Sequence, residues 1–371
     1  LAGCAKNEVV STVGANEEHA IGFSNYAPRA LTKANGTLVD NGALPAGSKI
    51  GIYGYSNGTT ALPGNAAGVK PEFMDNALVT YASTSATATA SDPVRYWPRT
   101  TTNVLSFYGY YPYDNDAITA KPSSGNAGLG TFSFTQPAAV ADMVDFMVSN
   151  VANDQYYYTD GTDGYAENPS AVKANNGVVP LTFNHMLSKV NFKFSHNVAL
   201  ASGDKIVVTG VSLAAVKTTG TLTPSYTAPA TPGTLGTTSF SWGTTAATPG
   251  AITVPIYNAG DGGQTLVKET PTINNGSDGT AASADTDFLF IPQSLGDDVT
   301  ITINYNIIQG GTTTSNTVTK KLNEIEFGGS ALTTWDINKF YTYSFVIGLN
   351  AITFTGNVAD WVDGGTGTLN I

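Results

Sequence analysis

Few side chains in this 371-residue chain could do chemistry: one cysteine, Cys4, and three histidines, His19, His185 and His196. A single thiol excludes an internal disulfide framework and zinc sites built from several thiolates, so any chemistry of Cys4 is its own. A histidine base would need a serine nucleophile beside it, and no G-x-S-x-G elbow occurs. His185, next to Met186 in a strand-like run, reads as a satisfied core or edge residue, while His19 falls in a polar N-terminal stretch. The pairs Asp285 with Asp287 and Asp297 with Asp298 offer oxygen ligands that suit calcium, yet neither has an EF-hand spacing, and both read as solvated turns ahead of strands. No catalytic set, metal site or cofactor follows from these residues. Rings are the remaining chemistry. Tyr156, Tyr157, Tyr158 and Tyr165 lie in a polar stretch, residues 154–177, where they could stack on the pyranose faces of a host glycan or meet a host protein; the other reading is that they pack on their own domain.

Leu1-Ala2-Gly3-Cys4 resembles the bacterial lipobox, in which small residues fit a signal peptidase and the cysteine sulfur takes a diacylglycerol. The charged and apolar parts of a signal peptide are not in the sequence, so residue 1 is expected to stand at the tail of one. A lipid on Cys4 would act as an anchor, each buried methylene contributing about 0.8 kcal/mol. Residues 5–20, polar with Glu8, Glu17 and Glu18, then read as a tether between membrane and folded body.

The elements that must position these residues are strands. Charged residues are only 12%, glycines number 40, and 41% of the chain is hydrophobic, which suits many short strands joined by Gly-, Asn- and Ser-rich turns. A net charge of −11 without a Lys/Arg cluster argues against nucleic acid as a partner. No run of about 20 apolar residues offers a membrane-spanning helix. Residues 20–26 (AIGFSNY) place Ile21 and Phe23 on one face, and Ile50 and Ile52 alternate with polar or small residues before an Asn57-Gly58 turn. Between these strands, Arg29 and Lys33 sit in a polar connector with Pro28 and Gly36 that is expected to be exposed and cuttable. Val190, Phe192 and Phe194 alternate strictly, and Ile301, Ile303, Tyr305 and Ile307 alternate against Thr300, Thr302, Asn304 and Asn306, the period of a half-buried strand. Strands at short regular spacing predict sandwich-type sheets, and a domain boundary is expected near Asn184.

Several of these stretches, taken in order, resemble the fimbrillin-like family of type V pilus subunits from Gram-negative anaerobes: LAGC, IGFSNYAPR, YWPRTTTNVLSFYGYYPYD, VDFMVSN, LTFNHMLSKVNFKF and YTYSFVIGLNAITFTGNVADW. The resemblance implies an all-β protein of two transthyretin-like Greek-key β-sandwich domains in tandem. Residues 1–33 would be the lipobox remnant, tether and removable first strand, 34–184 the first sandwich and 185–371 the second. It implies export as an outer-membrane lipoprotein and a maturation protease that cuts after Arg29, with Lys33 the second choice. The cut would remove the lipid on Cys4 and the strand at 20–26, opening an apolar groove for a strand from another pilus subunit. In the family's stalk subunits the donor comes from the C-terminus, which points here to residues 351–371, with Ile352, Phe354, Val358, Trp361, Leu369 and Ile371 as the inserting side chains. A structural subunit supporting adhesion, and no enzyme, is the expectation; a pilus-tip adhesin or surface lipoprotein binding through the tyrosine stretch is the alternative.

Overall fold

The computed structural model describes residues 18–26, 44, 46–81, 89–99, 103–138, 142–159, 164–244, 252–254, 262–266, 268, 272–273, 288–348 and 352–360. The first half supplies β1 (Gly22–Tyr26), β2 (Lys49–Ser56), β3 (Met74–Thr80), β4 (Thr89–Ala90), β5 (Leu105–Tyr111), β6 (Ile118–Ala120), β7 (Phe132–Thr135), β8 (Met147–Ser149), β9 (Ala152–Tyr156), β10 (Val172–Lys173) and β11 (Val178–His185). Nine of these form one sheet in the order β10-β9-β5-β8-β11-β1-β4, with β2 joining β5 to β3. The chain is all-β among the described residues apart from short 3₁₀ turns, as its alternating pattern predicts.

β5 explains why this sheet is covered on both sides. Its alternate residues split between two cores: Leu105 and Phe107 pack with Ile21, Phe23, Ile52 and Trp97 on one face. Tyr108 and Tyr110 join Tyr53, Phe132 and Phe146 on the other. A strand with two buried faces reads as an unbroken apolar and aromatic run, which LSFYGYY does. Gly109 lets β2 approach, because a Cβ there would stand 2.7 Å from Ile52 Cδ1 and 3.0 Å from the Gly51 carbonyl.

The chain leaves this sheet at Met186-Leu187, between β11 and the next strand, Ser188–His196. That strand runs parallel to Lys339–Ile347, which pairs antiparallel along its whole length with the last strand, Ile352–Asp360. A further sheet is built on Lys205–Ala214, Thr300–Gln309 and Thr312–Lys321. The two halves also share a sheet: β7 pairs with Thr219–Thr227, which pairs in turn with Thr237–Thr244. The larger core accordingly runs without interruption from Tyr53 and Tyr108 to Tyr343 and Phe345.

Candidate functional site

The sequence singles out the first strand, and its seat is unlike that of its neighbours. β1 runs parallel to β11, from Gly22 opposite Val178 to Tyr26 opposite Thr182. On its other side, among the described residues, β4 pairs with Gly22 and Phe23. Period-2 alternation sends Ile21 and Phe23 inward, both at 0% exposure, while Gly22 and Ser24 stay half-buried. The Phe23 ring meets Phe107 edge-on at 5.3 Å between centroids. The Tyr81 hydroxyl donates to the Phe23 carbonyl at 3.4 Å, and the Ser24 hydroxyl to the Val179 carbonyl at 3.4 Å. Each of the two buried side chains contributes about 1.5–3 kcal/mol, so a strand of few residues is held chiefly by its inward face.

Just upstream, the chain continues the pairing through Ala20 against Tyr96, with the Ile21 amide donating to the Arg95 carbonyl at 2.8 Å. The Trp97 amide donates to the His19 carbonyl at 3.0 Å, and the His19 amide to the Tyr165 hydroxyl at 3.1 Å. The His19 ring then lies 4.5 Å from Tyr157 and 5.3 Å from Tyr165. Tyr157 is edge-on to Tyr165 at 4.9 Å and stacks towards Trp97 at 6.4 Å, while the Arg99 guanidinium stands 5.5 Å over Tyr165. Trp97 Nε1 donates to the Gly177 carbonyl at 3.1 Å. Gly177 has φ +74°, and a Cβ there would press on Trp97 Nε1 at 3.2 Å and the Ala20 carbonyl at 3.4 Å, so glycine is needed for both reasons.

Two sequence expectations change here. The polar N-terminal stretch suggests a free tether at His19, but the residue packs into a ring cluster because its backbone is paired to Trp97 and Tyr165. Tyr157 and Tyr165, read in the sequence either as ligand-stacking rings or as rings packed on their own domain, are only 6% and 2% exposed, their faces taken up by His19, Trp97 and each other. Tyr156 and Tyr158 are half-buried, the latter under the Lys173 ammonium at 5.1 Å. The stretch 154–177 is tied down partly as sheet, since β10 pairs with Gln155 and Tyr156.

Cys4, Arg29, Lys33, Trp361, Leu369 and Ile371 lie outside the described residues. Ile352 and Phe354 are in register with Ile347 and Phe345, and Val358, opposite Tyr341, is 44% exposed. Beyond this pairing, among the described residues, the last strand meets Glu326–Phe327 through Gly356. His185 is buried against Asp145, Nδ1 to Oδ1 at 2.9 Å, and His196 Nδ1 accepts from the Val198 amide at 3.3 Å. Asp297 is a surface turn residue that accepts from Asn323 at 2.9 Å and pairs with Lys321 at 3.4 Å; those two partners hold its carboxyl below the ordinary value. Asp285 and Asp287 are outside the described residues, among which no group of three or more His, Cys, Asp or Glu is placed to hold a metal. No helix among the described residues is long and apolar enough to cross a membrane. Sequence reasoning missed Arg99 and Gly177 and read Trp97 only as a strand aromatic; the local clue was RYWPR, two rings and two cations (Arg95 and Arg99) around a proline in the sequence.

Among known proteins, the chain is similar to the fimbrium subunit Fim1C of Phocaeicola vulgatus, 26% identical over 404 residues, taking in 100% of this chain and 96% of that one. Among solved structures it is similar to a fimbrial protein from Bacteroides vulgatus at 19% identity and a TM-score of 0.55, covering 92% of this chain and 99% of that one, which shows a shared fold. The fimbrillin-like family model matches residues 32–361. Most of the chain falls within that match, and the chain therefore belongs to the fimbrillin-like family.

Proposed function

We propose that this chain is a structural subunit of a cell-surface fimbrium, exported as an outer-membrane lipoprotein on Cys4 and assembled by removal and replacement of β1. The observation that carries the reading is the seat of β1, where Ile21 and Phe23 are fully buried between β11 and a two-residue β4, with Arg29 and Lys33 following in the sequence. A protease cutting after Arg29 or Lys33 would free β1 together with the lipid. The unpaired edge of β11 and two empty apolar pockets would then be unfavourable until a strand from another fimbrial subunit filled them.

The C-terminal region supplies a matching donor. Ala351-Ile352-Thr353-Phe354-Thr355 repeats the order of Ala20-Ile21-Gly22-Phe23-Ser24, so Ile352 and Phe354 suit the pockets of Ile21 and Phe23. Val358, Trp361, Leu369 and Ile371 would extend the inserted segment. To serve, the last strand must give up its ladder with Lys339–Ile347, while among the described residues its outer side is joined at Gly356.

Limited trypsin digestion of the folded protein, read by intact mass and electron microscopy, tests the reading. A clean cut after Arg29 or Lys33, followed by filaments or an oligomer ladder, is the expected result. A trimmed chain that stays monomeric, alone and with intact partners, would overturn it.

A further inference from the structure

We propose that the ring pocket walled by Trp97, Tyr157 and Tyr165, with Arg99 at its side, is a recognition subsite that selects incoming strands carrying a ring two residues ahead of their first buried apolar residue. The proposal rests on the strand-replacement reading above and goes beyond it by naming what distinguishes one donor from another. Every wall of the pocket lies downstream of Arg29 and Lys33, whereas His19, the ring seated in it, lies upstream. A cut in the connector therefore removes the occupant and leaves the walls.

Those walls also have ties of their own besides the ones to His19. Trp97 is fixed by its Nε1 bond to the Gly177 carbonyl at 3.1 Å, and Tyr157 and Tyr165 support each other edge-on at 4.9 Å. Two hydrogen bonds at this step, Trp97 amide to His19 carbonyl and His19 amide to Tyr165 hydroxyl, run through the backbone of residue 19. Any incoming strand can reproduce them, so they set register without choosing a sequence. Selection falls to the side chain, which meets π faces 4.5 Å and 5.3 Å away. Since residues 19, 21 and 23 share a face, the whole seat reads a donor as ring-x-aliphatic-x-aromatic.

This chain's own matching segment departs from that pattern at one place. Aligned on Ala-Ile-x-Phe, Asn350 stands where His19 stands. A copy of this chain would fill the two apolar pockets and offer the ring pocket an amide. The occupant the geometry favours is a strand from a different fimbrial subunit, one with histidine or an aromatic residue at that place.

The test uses the full chain, nicked in the connector by trypsin, and labelled synthetic peptides that compete for the seat. The peptide of residues 18–29 should displace the nicked strand, and its Phe23→Asp form should not. His19→Ala should bind about tenfold more weakly, and His19→Phe should recover the loss. In a peptide of residues 349–360, Asn350→His should strengthen binding by a similar factor. Tyr157→Leu in the nicked chain should erase the difference between the unaltered peptide and its His19→Ala form. Equal binding of these two, with Phe23→Asp still failing, would overturn the ring subsite and leave strand replacement standing. Failure of the unaltered peptide to bind would overturn both.

Discussion

β1 and the last strand carry nearly the same run of side chains but are held in opposite ways. β1 has a parallel neighbour along its five residues, a two-residue contact with β4, and an inward face that is fully buried. The last strand has an antiparallel neighbour at all nine of its positions and shows Thr355, Asn357 and Val358 to solvent. Side-chain burial at about 1.5–3 kcal/mol per large residue dominates the first seat. In the second, a ladder of backbone bonds along the strand, each worth about 0.5–1.5 kcal/mol net, does the holding among the described residues. A pattern of alternating apolar residues thus fixes what a strand would bury, while its neighbours decide whether it can be exchanged.

The strongest way to break this comparison is Phe23→Ala. Removing a fully buried ring should cost about 3–5 kcal/mol, read as a lower urea midpoint, with faster release of β1 once the connector is nicked. An unchanged midpoint would mean that burial does not hold β1. Alkaline pH should come next and act on both regions. Burial keeps Tyr108 protonated in the first-half core and Tyr343 protonated beside the last strand, and it pushes Tyr110 and Tyr341 up to about 12. A raised folded value means the contribution is fully present below the ordinary tyrosine value of about 10 and is lost as the pH climbs through the folded value. Stability should therefore fall above pH 10, by about 1.4 kcal/mol per pH unit for each tyrosine that ionises only on unfolding. Ionisation of these four buried tyrosines, followed by their own ring resonances, well before the unfolding transition would contradict this.

Much of this arrangement is legible in the residue order. Val190, Phe192 and Phe194 are buried as their alternation requires, Ile301 and Ile303 face inward while Asn304 faces out, and Gly58 turns with φ +61° after Asn57. β1 is legible too, because Ile21 and Phe23 are two residues apart between polar flanks. The ring pocket is not. His19 and Tyr165 are 146 positions apart, and no local period connects them. The cluster exists because β1 and the stretch after β9 meet at the same end of the sheet, a consequence of strand order that periodicity does not encode. The shared sheet of β7 with Thr219–Thr227 escaped for the same reason, since Thr-rich strands announce themselves but not their partners.

Gly356→Ala would sharpen the comparison on the other strand. A Cβ at this position runs into the Phe327 ring, so the substitution should cost about 1–3 kcal/mol and loosen the strand locally. Faster amide exchange over residues 352–360 with unchanged exchange in β1 is the expected result. Equal effects on both strands would mean that they are not held independently.

The smallest effect separates the two seats most cleanly. Val358 stands at the same spacing from Phe354 that a core residue would take, yet it is 44% exposed. Val358→Thr keeps the β-branched shape that suits an extended backbone and removes little buried apolar surface, so stability should stay within about 0.5 kcal/mol. Its consequence should appear only when the segment acts as a donor. In the β1 seat, positions 352 and 354 would take the places of Ile21 and Phe23, and a segment that inserts through position 358 would bury a hydroxyl there without a partner. A peptide of residues 349–360 carrying Val358→Thr should then compete less well for the nicked chain than the unaltered peptide, although the intact protein melts as before. Equal competition would mean that the inserted segment ends before residue 358, and that Ile352 and Phe354 alone carry the exchange.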